Sequence, residues 1–391
     1  MICPAAYKKG MEDDMSGSVF GDIFKISTWG ESHGRALGVV IDGCPAGIPL
    51  AEPDFEEAMA RRAPGRNRYA TPRKESDTVE ILSGVFEGRT TGTPISLMIK
   101  NTSQRSADYS EIAGYYRPGH ADRTFDEKYG FRDYRGGGRS SGRETAARVA
   151  AGVVAAKLLD PLGISVVAYV KQIGEFVCKN NIYMPPKKYY GTDEKGRTVI
   201  NSGYVPEPSK IAASPLMMPD TDVSNAAEEY LNEQMKNGDS VGAMIECVAT
   251  GVPGGLGDPV FDKFDAGLAG AIMSIGAVKG VEIGAGFGVT LLKGSENNSP
   301  ENAGGVFGGI SDGGDIVIRA AVKPTPSISV TQRALNRDGE TIDISVKGRH
   351  DPIIAPRAVV VVESMVNLVL ADKVLKNMTA RFDRITEFYN K

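Results

Sequence analysis

The chain has 391 residues, 41% of them hydrophobic and 24% charged, with 45 Lys and Arg against 49 Asp and Glu for a net charge of −4. These values suit a globular protein in water and argue against a general nucleic-acid binder, which would carry a basic excess. The longest purely aliphatic run, Ala358 to Val362, is far too short for a membrane span, and the four cysteines are scattered without a Cys-x-x-Cys that would signal zinc or a disulfide framework.

Residues 1–14 show no periodicity and end in Glu12-Asp13-Asp14, so they read as a flexible tail ahead of a structured region, residues 15–391. No signal peptide is recognisable, and a reducing cytoplasmic setting is expected. Ile23 to Thr28 and Leu37 to Asp42 predict strands around the polar turn Trp29-Gly30-Glu31-Ser32-His33-Gly34. Gly43-Cys44-Pro45-Ala46-Gly47-Ile48 follows, then a helix from Pro53 to Arg62. Between Arg61 and Glu75 stand six basic residues and one acid, a local patch suited to a small polyanion.

Thr78 to Phe86 and Pro94 to Ile99 predict further strands. Tyr134-Arg135-Gly136-Gly137-Gly138-Arg139-Ser140-Ser141-Gly142-Arg143-Glu144-Thr145 then feeds an alanine-rich helix to Leu159, with Ser141-x-x-Glu144 in capping-box spacing. Ile164 to Val170 predicts a strand, and Asn180 to Pro219 has no clear period.

Gly251-Val252-Pro253-Gly254-Gly255-Leu256 repeats the first glycine-proline motif 208 residues later, again between an alternating strand (Val241 to Cys247) and a helix, with Phe261 at nearly the offset of Phe55. This predicts an internal duplication enclosing one core. Phe264 to Lys279 reads as a small-residue helix, Ile316 to Val322 as a strand, and the stretch from Arg357 as an amphipathic helix. Strands and helices do not alternate strictly, which favours an α+β class.

The chemistry concentrates in loops. Three glycines before a helix N-terminus offer free N–H groups and a positive dipole end to an anion, and Arg135, Arg139 and Arg143 add forked donors. His33, His120 and His350 are the only histidines, each in a glycine-containing turn with charged neighbours. Beside phosphate-binding arginines, a histidine could protonate a departing anion. No metal-ligand spacing surrounds them. Two more segments suit a flat polar cofactor: the glycine loop Asn302 to Ser311, and Lys323-Pro324-Thr325-Pro326-Ser327 after a strand.

Gly30 to Gly34, Arg61-Arg62-Ala63-Pro64-Gly65 through Arg68, Arg117-Pro118-Gly119-His120-Ala121-Asp122, Tyr134 through Thr145, and Gly348-Arg349-His350-Asp351-Pro352 occur in this order. Together they resemble the chorismate synthase family from about Ser16 to about Ala371. The resemblance implies a β-α-β sandwich, helices between two antiparallel sheets with internal pseudo-twofold symmetry, assembled as a homotetramer. It implies a lyase of aromatic amino-acid biosynthesis that eliminates phosphate and a C6 hydrogen from 5-enolpyruvylshikimate 3-phosphate, with reduced FMN required. It assigns Arg62, Arg68, Arg117, Arg143 and Arg357 to the substrate's anionic groups. By the same resemblance His33 would protonate the leaving phosphate, with Ser32 and Ser141 nearby; His120 would serve the protonation of reduced flavin, and Asp351 would take the proton from flavin N5 as it receives hydrogen from C6. FMN contacts fall to Arg139, Ser140, Ser141, Gly276, Ala277, Gly308, Lys323, Pro324, Thr325, Pro326, Ser327 and Arg349.

Two positions depart from the family pattern: Gly276-Ala277 where Asn-Ala is usual, and Pro326 where the run usually reads Lys-Pro-Thr-Ser-Ser. Both bear on flavin contact and neither on the acid-base groups. Some family members reduce their own flavin with NADPH, which keeps an NAD(P)H-dependent flavin reductase as the rival enzyme reading. A phosphate-recognising RNA module is the rival of another class, opposed by the acidic charge and the lack of interleaved aromatics.

Overall fold

Leu37, Val39 and Ile41 recur at every second residue, as do Ile95, Leu97 and Ile99, so two strands each turn one apolar face inward. Each of these side chains is fully or almost fully buried, a gain of roughly 1.5–3 kcal/mol apiece. They belong to the first half of the chain, which in this computed structural model runs β1 (Val19–Phe20), β2 (Lys25–Gly30), β3 (Ala36–Asp42), α1 (Glu56–Arg62), β4 (Val79–Ser83), the hairpin β5 (Val85–Phe86) and β6 (Arg89–Thr90), and β7 (Ile95–Lys100). The structure describes residues 17–65, 69, 77–102, 111–178, 190–192, 198–200, 205–346 and 351–390. The 1–14 tail, Arg66, Arg68, Arg73, Arg349, His350 and much of the 180–219 stretch lie outside them.

After β8 (Tyr115–Tyr116) and α2 (Asp122–Tyr129), α3 (Thr145–Leu159) crosses the first sheet. The second half repeats the plan. β9 (Ser165–Ile173) and β10 (Phe176–Val177) are followed by the pair β11 (Tyr190–Thr192) and β12 (Thr198–Ile200), then α4 (Pro208–Ala213) and α5 (Thr221–Lys236). Next come β13 (Ala243–Thr250), α6 (Phe264–Met273), β14 (Val278–Ile283), the short helices α7 (Gly294–Asn297) and α8 (Pro300–Ala303), the hairpin β15 (Val306–Phe307) and β16 (Ile310–Ser311), and β17 (Ile316–Val322). β18 (Gln332–Asn336) pairs β19 (Thr341–Ile344) and β8; α9 (Ala355–Asn377) and α10 (Phe382–Tyr389) end the chain.

The duplication is visible in the sheets. The first has the order β1-β2-β3-β7-β4 and the second β10-β9-β13-β17-β14, antiparallel throughout. In each half a strand pair leads to a helix, a third strand, a small hairpin and a fourth strand inserted between the second and third. A long helix, α3 or α9, then closes the unit. α3 lies on β3 and β7, α9 on β9 and β13, and the two helices pack on each other, so both helix layers sit between the sheets. Gly152 permits the crossing: a Cβ there would stand 2.4 Å from Ser364 Cβ.

Four expectations change. α9 is not amphipathic; Val359 to Val362 are buried in succession because the helix has a neighbour on every side. α6 stops at Met273 rather than Lys279, since Ala277 adopts φ 75° and the chain turns into β14. The partner of buried Phe55 is Phe264, also fully buried at a helix start, whereas Phe261 is 94% exposed. Ser141 caps a single 3-10 turn by accepting from Arg143 N, and Glu144 reaches Arg148 at 2.9 Å instead of closing a capping box.

Candidate active site

The symmetric packing brings four helix ends to one side of the helix layer: the N-termini of α3 and α9 and the C-termini of α1 and α6. The backbone carbonyl of Arg62, the last residue of α1, accepts from Nε of Arg357, in the first turn of α9, at 3.0 Å. Arg143, just ahead of α3, shares the buried Asp77 carboxylate with Arg62. Arg148 of α3 bonds Ser274 just past the end of α6, at 2.6 Å to the hydroxyl and 3.2 Å to the carbonyl. Three arginines and two helix N-termini thus meet at one place, with Asp77, Asp351 and the C-termini of α1 and α6 as their counter-charges.

Arg62 gives Nε and Nη2 to Asp77 Oδ2 at 3.1 and 2.5 Å. Burial, together with the charges of Arg357 and Arg143, lowers its pKa against the pull of Asp77. Arg143 Nε also binds Asn101 Oδ1 at 2.9 Å, and Asn101 Nδ2 in turn binds the carbonyls of Glu31 and Gly34 at 3.0 and 2.9 Å. One asparagine therefore fixes the arginine and the histidine turn together. Arg357 pairs with Asp351 at 2.5 Å.

His33 stands against the glycine loop. The Ser32 hydroxyl donates to Gly136 O at 3.3 Å and lies in hydrogen-bond contact with His33 Nδ1 at 3.1 Å. Gly136 has φ 66°, and a Cβ on it would lie 2.3 Å from His33 Cε1. Arg117 forks onto Asp122 with both bonds at 2.8 Å; burial opposes the ionised carboxyl of Asp122, but the hydrogen bonds and charge of Arg117 lower its pKa below the usual range.

The turn after Arg117 joins the Lys323 loop: His120 Nε2 meets Ser327 Oγ at 2.7 Å, and Lys323 Nζ donates to Gly119 O at 2.7 Å. Lys323 N donates to Ala277 O at 3.0 Å, which brings Gly276-Ala277 to the same loop. Pro326 packs under Gly119, where a Cβ would come within 2.9 Å of its ring. Pro324 is exposed, and Thr325 Oγ1 is buried without a hydrogen-bond partner among the described residues. Arg139 Nη2 reaches Thr28 Oγ1 at 2.7 Å and its Nη1 reaches Gly30 O at 3.2 Å, tying the loop to β2. Ser140 bonds Gly137 O at 2.7 Å. Gly308 is the outlier: its hairpin docks at the start of α6, where Phe264 N donates to Gly309 O at 2.8 Å. Within one chain that lies a helix length, about 15 Å, from Gly276.

The family model for chorismate synthase matches residues 24–375. A chorismate synthase of Lachnospira eligens is 56% identical over 389 residues, covering 96% of this chain and all of the relative, and one of Lachnoclostridium phytofermentans is equally similar. A crystal structure of chorismate synthase superposes with a TM-score of 0.71 at 31% identity, over 95% of this chain and 98% of the other. The chain belongs to the chorismate synthase family.

In the fold, Arg62 and Arg143 meet on Asp77, Arg357 and Asp351 join them through the Arg62 carbonyl, and Ser32, His33 and Ser141 line the adjoining glycine loop. The turn that follows Arg117 meets Ser327 through His120 and Lys323 through the Gly119 carbonyl. Asp77 and Asn101 were missed by the motif reading: each is a lone polar residue at a strand end, and only the folded contact reveals it. Among the described residues no group of His, Cys, Asp and Glu could hold a metal ion, and no helix is long and apolar enough to cross a membrane.

Proposed function

We propose that this chain converts 5-enolpyruvylshikimate 3-phosphate to chorismate, the last step of the shikimate pathway, as a carbon–oxygen lyase. In this 1,4-anti elimination the C–O bond to phosphate and one C6–H bond break, and the ring gains a second double bond. The observation that carries the reading is the convergence of Arg62, Arg143 and Arg357 with two helix N-termini beside a serine-oriented histidine. Arg62, Arg68, Arg117, Arg143 and Arg357 hold the substrate's phosphate and carboxylates. The same charges stabilise the departing anion, the usual locus of large electrostatic catalysis. His33 delivers a proton to the leaving phosphate while Ser32 keeps Nδ1 in place. Asp351, aligned by Arg357, accepts the proton that originates at C6, and His120, hydrogen-bonded to Ser327, serves the protonation state of the cofactor.

The residues around Lys323 fit reduced FMN. Thr325 Oγ1 is a buried hydroxyl with no partner among the described residues, a Cβ on Gly276 would meet nothing within 4 Å, and the Lys323 ammonium stands at the same loop. Lys323, Thr325, Ser327, Gly276, Ala277, Arg139, Ser140 and Arg349 would hold it, with Gly308 reaching a cofactor only from another position. When bound, reduced FMN supplies electron density that weakens the allylic C–O bond. The same reading takes the working form as a cytoplasmic homotetramer, with NADPH a reductant to be tested. Phosphate release from the substrate with chemically reduced FMN under anaerobic conditions tests the proposal. Turnover with oxidised FMN in air, without reductant, would defeat the flavin requirement.

A further inference from the structure

Asp77 sits two residues before β4 with its side chain fully buried, and its carboxylate is divided between two arginines. Oδ2 takes two bonds from Arg62, at 3.1 and 2.5 Å, and Oδ1 takes Arg143 Nη1. Its backbone φ is 47°, in the left-handed region that aspartate tolerates better than most residues but still at a cost. A strained, fully buried anion with each oxygen on a different guanidinium is more than a surface ion pair. It fixes the relative plane and spacing of two forks that approach from different elements, the end of α1 and the turn before α3. Arg357 lies outside this grip. Its Nη1 goes to Asp351 and its Nε to the Arg62 carbonyl.

We propose that Asp77 is a positioning residue for the elimination: it never contacts substrate, and it holds Arg62 and Arg143 in the geometry that receives the substrate's anionic group. The inference rests on the reading of those arginines as substrate ligands. Asparagine at 77 keeps the shape and tolerates the positive φ, but its amide can accept from only one of the two arginines. The other then faces a donor and turns away. Loss of one aligned charge-assisted contact predicts a fall in kcat/KM of about tenfold or more.

The test is a set of double-mutant cycles on the FMN-loaded enzyme, measured as kcat/KM for phosphate release. Asp77→Asn is combined separately with Arg62→Lys, with Arg143→Lys and with Arg357→Lys. Acting through the arginines it holds, the Asp77→Asn effect should shrink to less than about threefold in the Arg62→Lys or the Arg143→Lys background and persist in full with Arg357→Lys. A merely structural role would instead reduce kcat/KM by the same factor in all three backgrounds, and that additivity overturns the proposal, as does an Asp77→Asn enzyme with wild-type kcat/KM. Should Asp77→Asn fail to fold, the crystal structure of the wild-type enzyme with inorganic phosphate decides. Both arginines still on Asp77 while donating to the phosphate supports the role; a phosphate that displaces Asp77 from either one overturns it. Wild-type protein with no turnover brings down the functional reading, whereas turnover with additive cycles brings down only the role of Asp77.

Discussion

Gly136→Ala should separate proton transfer from folding. The backbone there has φ 66°, and the new Cβ would lie 2.3 Å from His33 Cε1 and 2.5 Å from Nδ1, with Ser32 Oγ at 3.0 Å. To restore ordinary contact the imidazole must move by about 1 Å, which breaks the 3.1 Å bond to Ser32. A displacement of that size in a reacting group can cost about 10²-fold in rate. The left-handed backbone adds about 1–2 kcal/mol of destabilisation for a residue with a Cβ. The variant should therefore fold, retain substrate binding through the arginines, and show kcat reduced about 10²-fold with KM changed little. Anaerobic phosphate release with reduced FMN measures both constants, and urea unfolding measures the stability. A kcat within about threefold of wild type would refute the placement of the catalytic proton at His33.

His33→Ala should lower kcat by roughly 10² to 10⁴, as for loss of a general acid, while calorimetry still detects substrate binding; near-normal turnover would remove His33 from the mechanism. Asp122→Asn unpairs the buried Arg117 fork and should destabilise by about 3 kcal/mol at neutral pH. Because the pKa of Asp122 is lowered in the fold, that stabilisation is complete above the unfolded aspartate range, near pH 4, and disappears as pH falls through the depressed value. Urea unfolding of both forms should show the gap closing on acidification, and a gap that widens there would contradict the pairing. Gly276 has no positive φ, and a Cβ would meet nothing within 4 Å, so Gly276→Asn should tighten FMN binding by supplying an amide; equal or weaker binding by calorimetry would refute this.

Local patterns carried much of the architecture because the duplication repeats short, turn-bounded units. β3 and β17 follow from alternating aliphatics, and the glycine-proline motifs mark equivalent turns. What failed were features decided by neighbours. α9 carries enough polar residues to look amphipathic, yet helices and sheet enclose it. α6 ends where Ala277 takes a left-handed backbone, which no residue-type preference announces. The arginine and histidine motifs gave the candidate site by residue type, since they stand in loops with no apolar role. Asp77 and Asn101 stayed hidden because an isolated aspartate or asparagine beside a strand is commonplace, and their significance lies in partners 15 to 70 residues away. Gly308 shows the converse: a motif position that the fold puts at the far end of α6.

The central claim is elimination rather than hydrolysis, and one measurement addresses it. Substrate carrying deuterium at both C6 positions is incubated anaerobically with the purified chain and reduced FMN, and the organic product is examined by mass spectrometry. The account predicts a product that has lost phosphate and one of the two deuterons, in equal amount to the phosphate released. Phosphate release with both deuterons retained and a hydroxyl in place of the phosphate would contradict it.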